Sequence, residues 1–485
     1  MENSSSNSIR FLLNDLLYKI DFSDNKSQIK PTTTLLNFLR TQTNLKSVKE
    51  GCAEGDCGAC TVVMGETEHN EIHYTPVNSC LIFLPMINGK QIITTEYLSE
   101  KKDDKQILHP IQSALAETYG TQCGYCTPGI LMTMFAIYKN YSDPDEKTIK
   151  KLLSGNLCRC TGYLPMLEAV RKSSKNREDK FSQKEKATIE ILKNIKNHST
   201  ISIKQNSYSY HIPCSLNDAL DIYNNNPEAI IINGATDTAI RQTKNNEKLF
   251  NIIDISHIEE LKYFRKDNDN YYIGAGLCIQ KLLGFLKDTI TSLYDTLEYF
   301  GSWQIRNLAT IGGNVSTASP IGDTLPVLIS LKSSVKLKNI TKERIINIED
   351  FIIDYRKTSL KKDELLTEVI IPKTPDNNII KSYKVSKRKE LDISTVSTCF
   401  NLSLGANNVI NEIIITYGGM AKIPCRAKST EKFLTGKKWC KENIKEAGKI
   451  LFNEFEPISD ARAEAMTRKI ICRNLLTKFW SENQN

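Results

Sequence analysis

Cys52, Cys57 and Cys60 in GCAEGDCGAC, followed by Cys80, have the C-x4-C-x2-C…C order of thiolates that holds a plant-type [2Fe–2S] cluster. Downstream, Cys123 and Cys126 in QCGYCTPG and Cys158 and Cys160 in NLCRCTGY supply a second set of four. Such clusters carry single electrons and do little bond chemistry of their own, so two quartets imply a chain through which electrons pass. Of the 14 cysteines, the eight before residue 161 all lie in these runs and the rest are scattered singly, unlike a disulfide framework. A lone C-x2-C with a distant C-x-C would favour structural zinc. The order of the first quartet and the presence of a second favour iron–sulfur clusters instead. His69 and His73 in HNEIH lack the H-E-x-x-H arrangement of zinc hydrolases and fall in hairpin sequence, so exposed histidines are expected there.

These cysteines need elements to position them. Residues 8–30 alternate apolar and polar positions around NDLL, and TTTLLNFLRTQ carries the leucines of a short helix, which predicts a β-hairpin followed by a helix. The glycines between Gly51 and Cys60 suit a backbone that curls around a metal site and aims N–H groups at sulfur. Cys80 is placed on or beside a later strand. From His109 to Arg171 the runs IQSALAETYG, GILMTMFAIYKN, DEKTIKKLLSG and GYLPMLEAVRK have helical apolar spacing. Four short helices would bring the second cysteine pairs together at adjacent helix ends. The polar run SSKNREDKFSQKEK, residues 173–186, reads as linker without core residues, and a new domain is expected near residue 200.

Single-electron clusters cannot alone deliver a hydride, so the remaining chain is expected to hold a two-electron carrier. In IINGATDTAI, Gly234 permits a tight turn, Thr236 and Asp237 add polar contacts, and exposed backbone N–H groups could cradle a pyrophosphate. Taken alone, GATD reads as a β-turn. Gly274 and Gly276 in YIGAGLCI lack the third glycine of a dinucleotide fingerprint, Ile279 standing in its place, so a strand end is expected rather than a Rossmann NAD site. The segment from Lys384 to Asp392, KVSKRKELD, reads by default as a solvated face. Beyond Lys381, STCFNLSLG and VINEIIITYGG read as antiparallel strands, with EKFLTG, KENIKEAGKILFNEF and EAMTRKIICRNLLTKFW as helices covering them.

The 485 residues suggest about three domains. The net charge of +8 is spread among acids rather than gathered in a basic patch, so nucleic acid is not an expected partner. No stretch of 18 apolar residues is present and MENSSSNSIRF lacks the regions of a signal peptide; no membrane association and a cytoplasmic location are expected.

GCAEGDCGAC, QCGYCTPG and CRCTGY, in this order and followed by GATD, IGGN and SPIGD, resemble the iron–sulfur and FAD half of the molybdenum hydroxylases, and among them the small subunits of bacterial xanthine dehydrogenases. The resemblance implies a multidomain α+β fold: a β-grasp [2Fe–2S] ferredoxin domain over residues 8–98, a four-helix [2Fe–2S] domain over 106–172, a linker over 173–199, a two-lobed FAD-binding domain over 200–376 and a C-terminal α+β lobe over 380–485. It assigns flavin contacts to Gly234, Ala235, Thr236 and Asp237, to Phe300, Thr310, Ile311, Gly312, Gly313, Asn314 and Asp323 of FGSWQIRNLATIGGNVSTASPIGD, and to Lys384. Gly418 and Gly419 are similar to the family's GGM turn near the flavin ring. Cys160, with Gln122 beside it, would touch a pterin on a partner. Two [2Fe–2S] clusters, FAD, NAD as acceptor and a molybdopterin-bearing large subunit in a heterotetramer are the implied cofactors and partners. No catalytic base for purine hydroxylation is expected in this chain. Its expected role is that of the electron-transfer part of a purine-oxidising, NAD-reducing enzyme, with the redox part of another molybdenum hydroxylase, acting on an aldehyde, nicotinate or carbon monoxide, as the alternative and a zinc- and nucleotide-binding assembly protein as the reading from another class.

Overall fold

The computed structural model describes residues 7–174, 179–196 and 199–484. The chain forms two compact units: residues 1–258 together with Ser302–Ala309, and residues 259–301 together with 310–485.

In the first unit, the hairpin of Ser8–Leu13 and Leu16–Asp21 joins a mixed five-stranded sheet in the order Leu16–Asp21, Ser8–Leu13, Gln91–Ile93, Thr61–Glu68, Glu71–Asn78. The Ser8–Leu13 strand runs parallel to Gln91–Ile93 and the other pairs are antiparallel. The Leu35–Thr41 helix starts at Thr34, whose hydroxyl accepts from the Asn37 N–H, and buries Leu35, Leu36, Phe38 and Leu39. His69 and Asn70 form the turn between two strands and His73 lies on the second; both histidines are exposed, as expected.

The four helices are Pro110–Glu117, Thr127–Asn140, Glu146–Leu153 and Leu164–Ser173. Thr127–Asn140 is buried along its whole middle, from Gly129 to Tyr138, as befits the central helix of the group. The expected linker needs a correction. A helix, Lys180–Ile195, runs through it, with Phe181, Ile189, Leu192 and Ile195 buried. Phe181 packs on Tyr74, Tyr97 and Phe135, and Asp179 caps the helix by accepting from the Ser182 N–H. Residues 175–178 and 197–198 of that stretch lie outside the described residues.

A four-stranded sheet follows, in the order Ile230–Ile232, Asn251–Asp254, Tyr208–Ile212, Ile201–Gln205. The edge strand Ile230–Ile232 runs parallel to Asn251–Asp254, which in turn runs parallel to Tyr208–Ile212. Ile203, Tyr210, Ile212, Ile232 and Ile252 share one apolar core with Phe11 of the first sheet, Leu35 of the helix that follows its hairpin, and Phe83. That shared core is why the boundary at residue 258 falls inside the stretch 200–376 read from the sequence as one domain.

The second unit holds an antiparallel sheet in the order Phe264–Lys266, Asn270–Gly274, Leu365–Pro372, Ser334–Lys338, Glu343–Asn347. Gly274 ends its strand, in keeping with the reading of YIGAG as a strand end. A second antiparallel sheet, Ile379–Val385, Val396–Leu404, Ile410–Gly418 and Cys425–Arg426, is covered by the helices Lys428–Leu434, Lys441–Glu454 and Ala465–Glu482. Their shared core includes Phe400, Tyr417, Leu434, Leu451 and Phe479. No helix among the described residues is long and apolar enough to cross a membrane.

Candidate iron–sulfur and flavin sites

Both cysteine quartets converge. In the first, Cys60 Sγ lies 3.4 Å from Cys80 Sγ and the Cys52 and Cys57 thiols are hydrogen-bonded to each other. In the second, Cys160 Sγ lies 3.6 Å from Cys123 Sγ and Cys126 pairs with Cys158. Among the described residues no group of three or more ligating side chains closes on a single-ion position. Two pairs per quartet suit a two-iron cluster, in which each iron takes two protein ligands, better than one tetrahedral zinc.

Local backbone prepares the first quartet for negative sulfur. The N–H groups of Glu54, Asp56 and Cys57 point at Cys52 Sγ at 3.5, 3.3 and 3.3 Å. The Cys57 thiol, and then these amides, pull Cys52 down to about 5, while the same pairing pushes Cys57 up. Ala53, Gly55 and Gly58 all take positive φ, which turns the loop tightly enough to aim those amides inward. A Cβ on Gly58 would lie 2.1 Å from the Gly155 carbonyl, so the loop also needs glycine there to approach its neighbour. Cys60 and Cys80 are buried, Cys52 and Cys57 half-buried. At the second quartet Cys158 is buried while Cys123 and Cys160 are exposed, with exposed Gln122 next to Cys123 in the chain. Burial pushes Cys158 up, but the Thr161 hydroxyl at 3.3 Å and nearby amides outweigh it and leave the thiol at about 7. Tyr163 at positive φ turns its hydroxyl onto the Cys158 N–H at 2.7 Å. Donors that favour thiolate therefore prevail at one sulfur of each site, Cys52 and Cys158, while neighbouring thiols push up Cys57, Cys80 and Cys160 and burial pushes up Cys126; the four-thiol sets fit iron–sulfur clusters.

The flavin candidates fall in both units. In the first, Gly234 to Asp237 link the Ile230–Ile232 strand to the Thr238–Thr243 helix. The left-handed residue of this turn is Ala235, at φ 56, and not Gly234. Gly234 is needed for space, because a Cβ there would lie 1.7 Å from the Leu308 carbonyl oxygen. Among the described residues no backbone carbonyl takes the N–H of Gly234, Ala235 or Thr236, which suits an anion cradle. The same helix holds the first cysteine loop: Thr243 Oγ1 donates to the Ala53 carbonyl at 2.6 Å and Lys244 Nζ to that of Cys52 at 3.3 Å.

In the second unit, Thr310 caps the Ile311–Thr317 helix. Its first-turn amides are already used: Ile311 donates to Leu277, Gly312 to Ala275, Gly313 to Thr310 Oγ1 and Asn314 to the Thr310 carbonyl. Backbone anion binding of the kind read at Gly234 is therefore not on offer here. Gly312 is buried against Ala275, whereas Gly313 is exposed and a Cβ on it would meet only Thr310 Oγ1, at 3.0 Å. Asn314 Oδ1 accepts from Thr324 at 2.6 Å, next to Asp323. Asp323 and Lys384 form an ion pair at 2.7 Å, with Ser394 donating to the other carboxylate oxygen and Lys384 donating to the Tyr299 carbonyl at 2.8 Å, adjacent to Phe300. Lys384 is thus a tethered, half-buried cation, a correction to the default of a solvated face. The Gly418–Gly419 turn is held by Arg468, buried on the last helix, which donates to the Thr395 and Gly419 carbonyls and pairs with Asp460 at 2.8 Å. Sequence reading missed Arg468, Thr243 and Lys244; an arginine among the apolar positions of EAMTRKII was the one available signal.

Four families match the chain in order: "2Fe-2S iron-sulfur cluster binding domain" over residues 21–84, "[2Fe-2S] binding domain" over 94–171, "FAD binding domain in molybdopterin dehydrogenase" over 206–374 and "CO dehydrogenase flavoprotein C-terminal domain" over 381–483. Similar curated proteins include xanthine dehydrogenase of Oryza sativa subsp. japonica, 31% identical over 84% of this chain and 35% of its own length, and that of Blastobotrys adeninivorans, 30% identical over 98% of this chain and 41% of its own. The chain thus spans little more than a third of these relatives. Among solved structures, reconstituted CO dehydrogenase from Oligotropha carboxidovorans matches with a TM-score of 0.53 at 23% identity, covering 57% of this chain and 97% of that one. Quinoline 2-oxidoreductase from Pseudomonas putida 86 matches with a TM-score of 0.53 at 19% identity, covering 58% and 98%. At these identities the two structures bear on fold alone. By these matches the chain carries, in this order, two [2Fe–2S] binding domains, an FAD-binding domain of the kind found in molybdopterin dehydrogenases and a C-terminal domain of the CO dehydrogenase flavoprotein kind.

Proposed function

We propose that this chain is the electron-transfer subunit of a xanthine dehydrogenase, carrying electrons from the oxidation of hypoxanthine or xanthine to NAD+. The observation that carries the reading is the pairing of two preorganised thiol quartets with an FAD-binding domain, in a chain about 30% identical to xanthine dehydrogenases. Cys52, Cys57, Cys60 and Cys80 hold one [2Fe–2S] cluster and Cys123, Cys126, Cys158 and Cys160 the other. The turn at Gly234–Asp237 and the residues Phe300, Thr310–Asn314, Asp323 and Lys384 contact FAD. Clusters and flavin together supply the change from single electrons to a hydride pair.

The chain's own residues bind and orient. Amides at Glu54, Asp56 and Cys57 favour charge on Cys52 Sγ, and Lys384 sets a fixed positive charge beside Asp323. The exposed thiols at Cys123 and Cys160 put the helical site at the surface, where Cys160 and Gln122 face the pterin of a molybdopterin-bearing large subunit in a cytoplasmic heterotetramer. A second reading, the redox subunit of a molybdenum hydroxylase with another substrate, draws on the fold likeness to CO dehydrogenase and quinoline 2-oxidoreductase. Purification of the chain with its native partners and an assay for xanthine-dependent NAD+ reduction separates the two. Reduction with a different substrate and none with xanthine supports the second reading, and a colourless, zinc-containing protein overturns both.

A further inference from the structure

The two cysteine loops of the first unit are joined by a buried polar knot made of four side chains. Thr61 follows Cys60, Asn156 precedes Cys158 by two residues, Thr133 lies on the helix that follows Cys126, and Gln304 comes from the Ser302–Ala309 segment. All four are at most 2% exposed. Gln304 Nε2 lies 2.9 Å from Asn156 Oδ1, 3.1 Å from Thr133 Oγ1 and 3.4 Å from Thr61 Oγ1. The Thr133 hydroxyl donates to Asn156 Oδ1 at 2.6 Å, and Asn156 Nδ2 donates to the Gly58 carbonyl at 3.0 Å, which also accepts from Thr61 Oγ1 at 2.7 Å. Beside the knot the Leu157 N–H donates to the Cys57 carbonyl at 2.9 Å. The residue before Cys158 is thereby bonded directly to a residue of the first quartet. Glycine is required on both sides of the contact: a Cβ on Gly129 would lie 2.2 Å from the Gly58 carbonyl, and one on Gly155 would lie 2.1 Å from Gln304 Oε1.

A buried polar cluster of this kind is costly unless its members satisfy one another, and in return it fixes a single geometry; here Gln304 Nε2, Asn156 and both threonine hydroxyls are paired, and Gln304 Oε1 is buried without a partner. Apolar packing would have held the loops together without setting their register. We infer that Gln304 is a positioning residue that locks the two cysteine loops at one separation and orientation, so that the knot makes the two ligand sets a single rigid body. The inference rests on the reading of both quartets as electron-carrying sites for its purpose, though not for its test.

That test is peptide-resolved hydrogen–deuterium exchange of the full chain over residues 153–160 and 57–62, first without iron and then with iron loaded. Gln304→Leu keeps most of the bulk and removes the donor; Thr133→Val removes a second strand of the knot with less change of volume. Loss of one buried hydrogen bond corresponds to about a tenfold rise in exchange, and the inference expects that rise in both loops together for either variant. Trp303→Phe is the control, since Trp303 packs from the same helix into the helical core and against Tyr141 without joining the knot. In the iron-loaded protein, broadening of both paramagnetic signals in Gln304→Leu, and not in Trp303→Phe, is the second expected result. Unchanged exchange in both knot variants, a rise confined to one loop, or an equal rise in Trp303→Phe would overturn the inference. Failure of the parent chain to take up iron at either quartet would refute the proposed function, while the iron-free exchange would still decide the role of Gln304.

Discussion

Replacing Gly313 by valine separates flavin binding from folding. Gly313 is exposed at the start of its helix, and a Cβ there meets only Thr310 Oγ1, at 3.0 Å. The worst structural result is loss of that cap, about 1 kcal/mol. Gly312→Val is the contrast: its Cβ would lie 2.6 Å from both the Cβ and the carbonyl oxygen of Ala275, and making room costs about 1–3 kcal/mol or more. If flavin lies against Gly313, a branched side chain pushes it off by more than one methyl group, which weakens binding by about 10- to 200-fold. The assay is the flavin-to-iron ratio of the purified protein, from absorbance and metal analysis, alongside its thermal midpoint. Gly313→Val should lose flavin while keeping iron and midpoint, and Gly312→Val should lower all three. Full flavin occupancy in Gly313→Val would remove this segment from the site. Joint loss of flavin and iron in that variant would show that Gly313 acts through the fold instead.

Three further outcomes are expected. Cys57→Ser should abolish one paramagnetic cluster signal and Cys126→Ser the other; loss of the same signal in both would contradict two separate sites. Burial pushes Asp179 up, but the His109 ring at 3.2 Å and Lys139 at 3.2 Å outweigh it and hold the carboxyl at about 2. A depressed carboxylate stabilises above its unfolded value and loses that contribution as pH falls through the folded one, so protection of the Lys180–Ile195 helix against exchange should drop by about 2 kcal/mol between pH 4 and pH 2; the same drop in Asp179→Asn would assign it elsewhere. Isolated from any partner, the chain should pass electrons from NADH to a dye and show no activity toward xanthine; xanthine oxidation by the chain alone would refute the division of labour proposed above.

The convergence of the two cysteine quartets was legible because short fixed spacings between cysteines survive in the sequence as a pattern. The helical spacing of residues 109–171 was legible for the same reason that it folds: apolar residues recur on one face. Lys180–Ile195 was hidden because Phe181, Ile189, Leu192 and Ile195 are separated by lysines and glutamates whose side chains reach solvent, so the run has the composition of a linker. Gln304 and Asn156 could not be picked out, since a buried amide differs from a surface one only in what surrounds it, and their partners are distant in sequence. At IGGN both glycines looked alike; only the position of Ala275 shows that one serves packing and the other leaves a surface open.

The path of the chain also limits how this protein can be divided. Residues Ser302–Ala309 belong to the first unit, yet they are encoded between two stretches of the second. A truncation at residue 258 would remove Trp303 from the helical core, Gln304 from the knot and the Asn307 amide that donates to the Pro76 carbonyl at 2.8 Å. The cut would leave a slot lined with unpaired polar groups and bare aromatic surface, a recipe for aggregation. Gene fission at this boundary is therefore closed to this chain unless the eight residues are supplied again, and a shortened iron–sulfur fragment would need them as an added peptide or a grafted loop.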